Sequence, residues 1–138
     1  MKQFSTFYLD RLLFGVEVAR VQEVLRYQEM TPVPLAAPVV SGLINLRGQI
    51  VTALDLRRRL KLAERATDRL PMNVVVRVGE EAVSLLVDEI GDVFEVDDDA
   101  FELPPETLQG EARRLIRGAY KLEDKLLLVL DTDEVVSV

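Results

Sequence analysis

Gly42-Leu43-Ile44-Asn45-Leu46-Arg47-Gly48-Gln49-Ile50-Val51-Thr52-Ala53-Leu54-Asp55 reads as two strands about a tight turn. Leu43 to Leu46 and Gln49 to Leu54 are apolar runs, and Arg47-Gly48 between them predicts the turn, with Gly48 supplying a positive φ. Asp55 stands where a helix N-cap belongs, ahead of a single turn with Leu56 and Leu60 inward and Arg57, Arg58 and Arg59 toward water. The plan returns 76 residues later: Gly42 and Leu46 fall on Gly118 and Leu122, Gln49-Ile50-Val51 on Lys125-Leu126-Leu127, and Leu54-Asp55 on Leu130-Asp131.

Upstream, Phe4 to Leu9 and Leu12 to Val18 flank Asp10-Arg11 and predict a hairpin. Val18, Val21 and Val24/Leu25 follow at helical spacing, which predicts a short helix with Arg20 and Glu23 off its buried face. Thr31-Pro32-Val33-Pro34 and Pro38 mark an irregular extended stretch. A shift of 69 puts Phe7, Phe14, Val16, Val18, Val21 and Val24 on Val76, Val83, Leu85, Val87, Ile90 and Val93, and the acid Glu23 on Asp92. The seven-residue difference between the two shifts locates an insertion within Asp97 to Glu111, around Pro104-Pro105. Internal duplication is therefore expected, with the polar linker Ala63 to Pro71 between halves of about 1–70 and 71–138. Each half has enough short strands to close into a small barrel, and two such barrels side by side leave a groove. The fold class is mainly β, with few short helices.

Composition excludes much chemistry. The 138 residues contain no cysteine and no histidine, which removes disulfides, thiolate sites and the commonest general base and metal ligand. No serine has a Ser-x-x-Lys partner, and Asp97-Asp98-Asp99 lacks the spacing and central glycine of an EF-hand loop. Neither catalytic nor metal-ligating residues are assigned, and no cofactor is expected. Three arginines on one turn fall short of a nucleic-acid stripe. No apolar run approaches a membrane span, and the charges within residues 1–20 argue against a signal peptide, so a cytoplasmic location is expected. Residues 1–77 hold 12 Lys/Arg and 7 Asp/Glu, against 5 and 17 in residues 78–138. Such asymmetry can orient protein partners, although solvation alone also accounts for most of the acids. Arg47 at a hairpin tip presents a planar, permanently charged fork; a salt bridge and a binding role are both open to it. Glu23 is its candidate partner, and a merely solvated glutamate is the alternative.

These residues together resemble the CheW family, the coupling proteins of bacterial chemotaxis. The resemblance rests on Phe14-Gly15-Val16-Glu17-Val18 with Val21-Gln22-Glu23-Val24, on Thr31-Pro32-Val33-Pro34, and on Val40 to Gly48 with Asp55-Leu56-Arg57. Val87-Asp88-Glu89-Ile90-Gly91-Asp92-Val93 and Leu128 to Asp131 extend it over essentially the whole chain. It implies one CheW-like domain, residues 1–138, of two SH3-like five-stranded β-barrel subdomains packed together. It implies a non-enzymatic adaptor that couples a chemoreceptor signalling tip to the regulatory domain of a CheA-type histidine kinase, with other CheW-like proteins as further partners and no nucleic acid or membrane insertion. By resemblance, receptor contacts map to Val18, Val21, Glu23, Asn45, Arg47 and Val87, and kinase contacts to Gly42 and Leu43. Thr52 stands where the family commonly has proline. With no receiver domain and no kinase core, neither the fused adaptor CheV nor the kinase itself is expected. Two alternatives stand beside this reading: a member that has kept a receptor or coupling-protein surface but lost the kinase, and a small-molecule regulator or enzyme using the groove.

Overall fold

The computed structural model describes residues 1–66, 68–106 and 108–138. Thr67, in the linker, and Thr107, in the insertion, lie outside the described residues. The elements are β1 (Lys2–Leu9), β2 (Leu12–Glu17), a 3₁₀ turn (Val18–Arg20), β3 (Val21–Leu25), β4 (Val40–Leu46), β5 (Gln49–Asp55) and α1 (Leu56–Arg59). There follow β6 (Met72–Val78), β7 (Glu81–Val87), β8 (Glu89–Val96), a 3₁₀ turn (Asp98–Ala100), β9 (Phe101–Glu102), α2 (Gly110–Leu115), β10 (Ile116–Lys121), β11 (Leu126–Leu130) and α3 (Thr132–Val136). The protein is mainly β with short helices, as the sequence predicts.

The repeat is real in structure. β1, β2 and β3 correspond to β6, β7 and β8, while β4, β5 and α1 correspond to β10, β11 and α3. Asp55 and Asp131 both cap the helix that follows, accepting from the N–H groups of Arg57 and Arg58 and of Glu134 respectively. The sheets do not follow the halves. One sheet runs β8-β1-β2-β11-β10-β9 and the other β3-β6-β7-β5-β4. Each half has lent its opening hairpin to the other sheet, where it is held by a parallel pair, β2 with β11 and β7 with β5. The expected division near residue 70 is therefore not a division between sheets.

Three apolar clusters result. Phe4, Leu13, Val96, Tyr120, Leu127 and Val129 line one sheet, and Ile44, Leu46, Val51, Ala53, Val75 and Leu86 the other. The largest cluster takes residues from both sheets, among them Phe7 and Phe14, Leu54, Val74 and Leu85, Leu128 and Leu130. Strands buried on both faces lose simple alternation, and this is why Val74-Val75-Val76 and Leu126 to Leu130 are unbroken apolar runs. Each fully buried Leu or Phe here contributes roughly 1.5–3 kcal/mol.

Two expectations fail. The helix across Val18 to Leu25 is instead a 3₁₀ turn running into a strand, with a bulge between Val21 and Glu23 against β6. The bulge and turn imitate helical spacing while the β-branched valines suit extended backbone. Arg57 and Arg59 do not face water; both are buried, and Arg58 alone stays at the surface. Arg59 donates to the carbonyls of Val135, Glu134 and Ser137 and so binds the end of α3 to α1.

Candidate functional site

β4 and β5 are joined by a two-residue turn in which Arg47 (φ 52°) and Gly48 (φ 89°) both occupy the left-handed region. Such a turn matches the twist of its flanking strands, and the side-chain oxygen of Asn45 accepts the Gly48 N–H at 2.8 Å. The turn aims Arg47 at Glu23 on β3, and the guanidinium pairs with the carboxylate. β3 and β4 are opposite edges of the five-stranded sheet, so the ion pair spans the seam. Thr31 and Leu43 reinforce it by exchanging backbone hydrogen bonds at 2.8 Å in each direction. Arg47 nevertheless keeps 75% of its side chain exposed, against 19% for Glu23. An ion pair this open contributes only about 0–1 kcal/mol to folding, so stability alone does not explain a rigidly mounted arginine here. A charged fork with a free face, pre-oriented by a carboxylate, is suited to binding.

The other expected site residues divide. Val18 is exposed, Val21 is half-buried against the shared core, and Asn45 is exposed beside Arg47. Val87 is not at a surface: it is fully buried in the cluster between the sheets, so direct partner contact through its side chain is corrected to a packing role. Gly42 is also buried, and a Cβ there would lie 2.7 Å from the Thr31 carbonyl oxygen. Its lack of a side chain admits the 30–31 segment. Leu43 is half-buried and holds that segment through its backbone. Tyr27, Gln28 and Glu29 with Leu43 and Asn45 line a polar depression next to this seam. Val24 on β3 and Ile50 on β5 are apolar side chains left 43% and 61% exposed, which the sequence reading does not single out. Ile50 is the register partner of Asn45, and an apolar residue opposite the exposed Asn45 was the available signal.

A second constellation ties the sheets together. Arg57 donates to both carboxylate oxygens of Asp88 at 3.0 and 2.5 Å, to Asp10 at 2.6 Å and to the Ala63 carbonyl at 2.9 Å. Asp88 also accepts from Arg65 at 3.0 Å and from the Asp10 backbone N–H at 2.7 Å. Burial pushes the Asp88 carboxyl up, but the Arg57 and Asp10 hydrogen bonds outweigh it and bring it from an ordinary 3.8 to about 2. Burial likewise opposes the charge of Arg57, yet its hydrogen bond to Asp88, the dominant influence, raises its pKa. Because the folded carboxyl is the stronger acid, its stabilisation is present above about pH 4 and is lost as pH falls toward about 2. We expect an acid unfolding limb worth about 2 kcal/mol in that window, flattened in Asp88→Asn, as read by urea titrations at several pH values.

The charge asymmetry is spatial as well. Residues 18–87, which build the five-stranded sheet, hold 10 Lys/Arg and 7 Asp/Glu, and the remainder hold 7 and 17. Among the described residues no group of three or more side chains could hold a metal, and no helix is long and apolar enough to cross a membrane.

The model of the CheW-like domain matches residues 3–138. A chemotaxis protein CheW of Bacillus subtilis is 31% identical over 135 residues, covering 98% of this chain and 86% of the relative. One from Treponema pallidum is 28% identical over 139 residues, covering 98% and 82%. The crystal structure of the scaffolding protein TtCheW from Thermoanaerobacter tengcongensis superposes with a TM-score of 0.88 at 26% identity, covering 99% of this chain and 93% of that one.

Proposed function

The chain belongs to the CheW-like domain family, and from that premise we propose that it holds a chemoreceptor signalling tip and the regulatory domain of a CheA-type kinase on separate surfaces. It is a non-enzymatic coupling adaptor of chemotaxis. The receptor surface of our reading is the seam of the five-stranded sheet, with Arg47 as its charged contact, Glu23 and Asn45 setting its pose, and Val18 and Val21 beside it. The observation that carries it is the exposure of a guanidinium already held by a carboxylate and a rigid turn. The kinase surface is assigned to the outer side of β4 around Leu43, where Gly42 sets the approach of residues 30–31. The two surfaces adjoin along β4, where Leu43 and Asn45 line one depression, so the proposal requires the partners to approach from different sides of that strand.

Calorimetric titration of the folded chain with a receptor cytoplasmic fragment, and then with the kinase regulatory domain, tests this directly. Binding of each, with neither displacing the other, is the expected result. Receptor binding with no kinase binding would instead make this a one-sided member of the family. Binding of neither would overturn the proposal.

A further inference from the structure

Between β10 and the segment that carries Asp98 and β9 lies a cavity of about 160 Å³, apart from the seam described above. Its floor is apolar: Phe4 and Val129 are buried, and Phe101 closes one side edge-on to Tyr120 at 5.3 Å. Gly118 makes that wall possible, since a Cβ there would lie 2.2 Å from the Phe101 ring. The volume is close to that of an engineered apolar cavity of roughly 150 Å³ that accepts benzene, so it suits one ring and not a drug-sized molecule.

The mouth is polar. Tyr120 is only 3% exposed, yet its hydroxyl makes no hydrogen bond among the described residues. Burial raises its pKa, so at neutral pH it remains a donor. Lys2 is engaged by Glu17 at 3.5 Å, whereas Arg117 has no ion-pair partner among the described residues. The mouth also carries Glu17, paired with Lys2, and Asp98, so the Tyr120 hydroxyl at the opening and the exposed, unpaired Arg117 fork are the groups left to receive an acceptor, and a planar fork favours a carboxylate. Two carboxylates at the mouth, Glu17 and Asp98, disfavour ligands of more than one negative charge.

We propose that this cavity binds a small, single-ring aromatic monocarboxylate, its ring against Phe4, Phe101 and Val129 and its carboxylate accepting from the Tyr120 hydroxyl and Arg117. The site is independent of the coupling surfaces and does not rest on the partner assignment. Benzoate, toluene and benzylamine are titrated separately into the ¹⁵N-labelled full chain. Benzoate should shift the amides of Phe4, Arg117, Tyr120 and Val129 and saturate with Kd on the order of 1 mM, the range expected for so few atoms. Tyr120→Phe, which keeps the ring, should weaken benzoate about fivefold, and Arg117→Gln about tenfold. Toluene or benzylamine binding as tightly as benzoate would overturn the carboxylate assignment. Benzoate failing to saturate at these amides, or binding both variants unchanged, would overturn the site.

Discussion

Replacing Asp88 with alanine should cost about 3–5 kcal/mol of folding stability, the largest effect expected of any single surface-independent change in this chain. Its side chain is 2% exposed and receives Arg57 and Arg65, whose side chains are only 5% and 10% exposed. Removing the carboxylate strands two largely buried guanidinium groups, with Asp10 the one remaining counter-charge on Arg57 and the Ala63 carbonyl its other acceptor. Most domains are stable by only about 5–15 kcal/mol, so this is a large fraction of the whole. The three groups also stand at three chain passages: Asp10 in the β1–β2 turn, Arg57 in α1, and Asp88 where the chain leaves β7 for β8. Losing them should loosen the junction of the two sheets rather than either sheet alone. Asp10→Ala, at a carboxylate 60% exposed, should cost far less, within about 1 kcal/mol. Replacing Arg57 and Asp88 together by Met and Leu should be less damaging than Asp88→Ala, because no unpaired charge remains. Urea denaturation of the three proteins decides it; equal stability of Asp88→Ala and the parent chain would show that the cluster is not holding the junction.

Arg47→Glu should lower affinity for the receptor fragment about 100-fold while changing folding stability by no more than about 1 kcal/mol. The substitution sets a second carboxylate against Glu23 on an open seam, where water screens most of the repulsion. A partner that needs a cation there meets an anion. Exchanging the charges, with Glu23→Arg added, restores the ion pair but not its polarity. If Arg47 itself meets the partner, the exchanged protein should still bind poorly; full recovery would mean that only closure of the seam matters. Loss of the thermal transition in Arg47→Glu alone would make the residue structural and remove it from the binding surface.

Legibility in the sequence tracked how local each feature is. The turn at Arg47-Gly48, the cap at Asp55 and the hairpin at Asp10-Arg11 depend on neighbours a few positions away, and all were readable. The pairing of Glu23 with Arg47 was suggested by their placement and by family resemblance, and the structure brings them together. β3 was misread because a 3₁₀ turn and a bulge disguised an extended strand as a helix. Arg57 and Arg59 were misread because arginine is ordinarily a surface residue, and the carboxylates and carbonyls that satisfy them here lie up to 78 positions away. Val87 looked like a site residue by resemblance, but its strand is covered on both sides.

The two similar hairpins show where the sequence stops. Its patterning alone determined that the strands exist, that they recur at shifts of 69 and 76, and that a mainly β, duplicated fold with no histidine or cysteine chemistry must follow. Only the tertiary structure decided which sheet each opening hairpin joins. Backbone N–H and C=O groups are the same on every strand, and β1–β2 and β6–β7 present matching apolar faces, so local pattern cannot choose between them. The choice is made by the parallel pairing of β2 with β11 and of β7 with β5, and by the shared core that both hairpins then enclose.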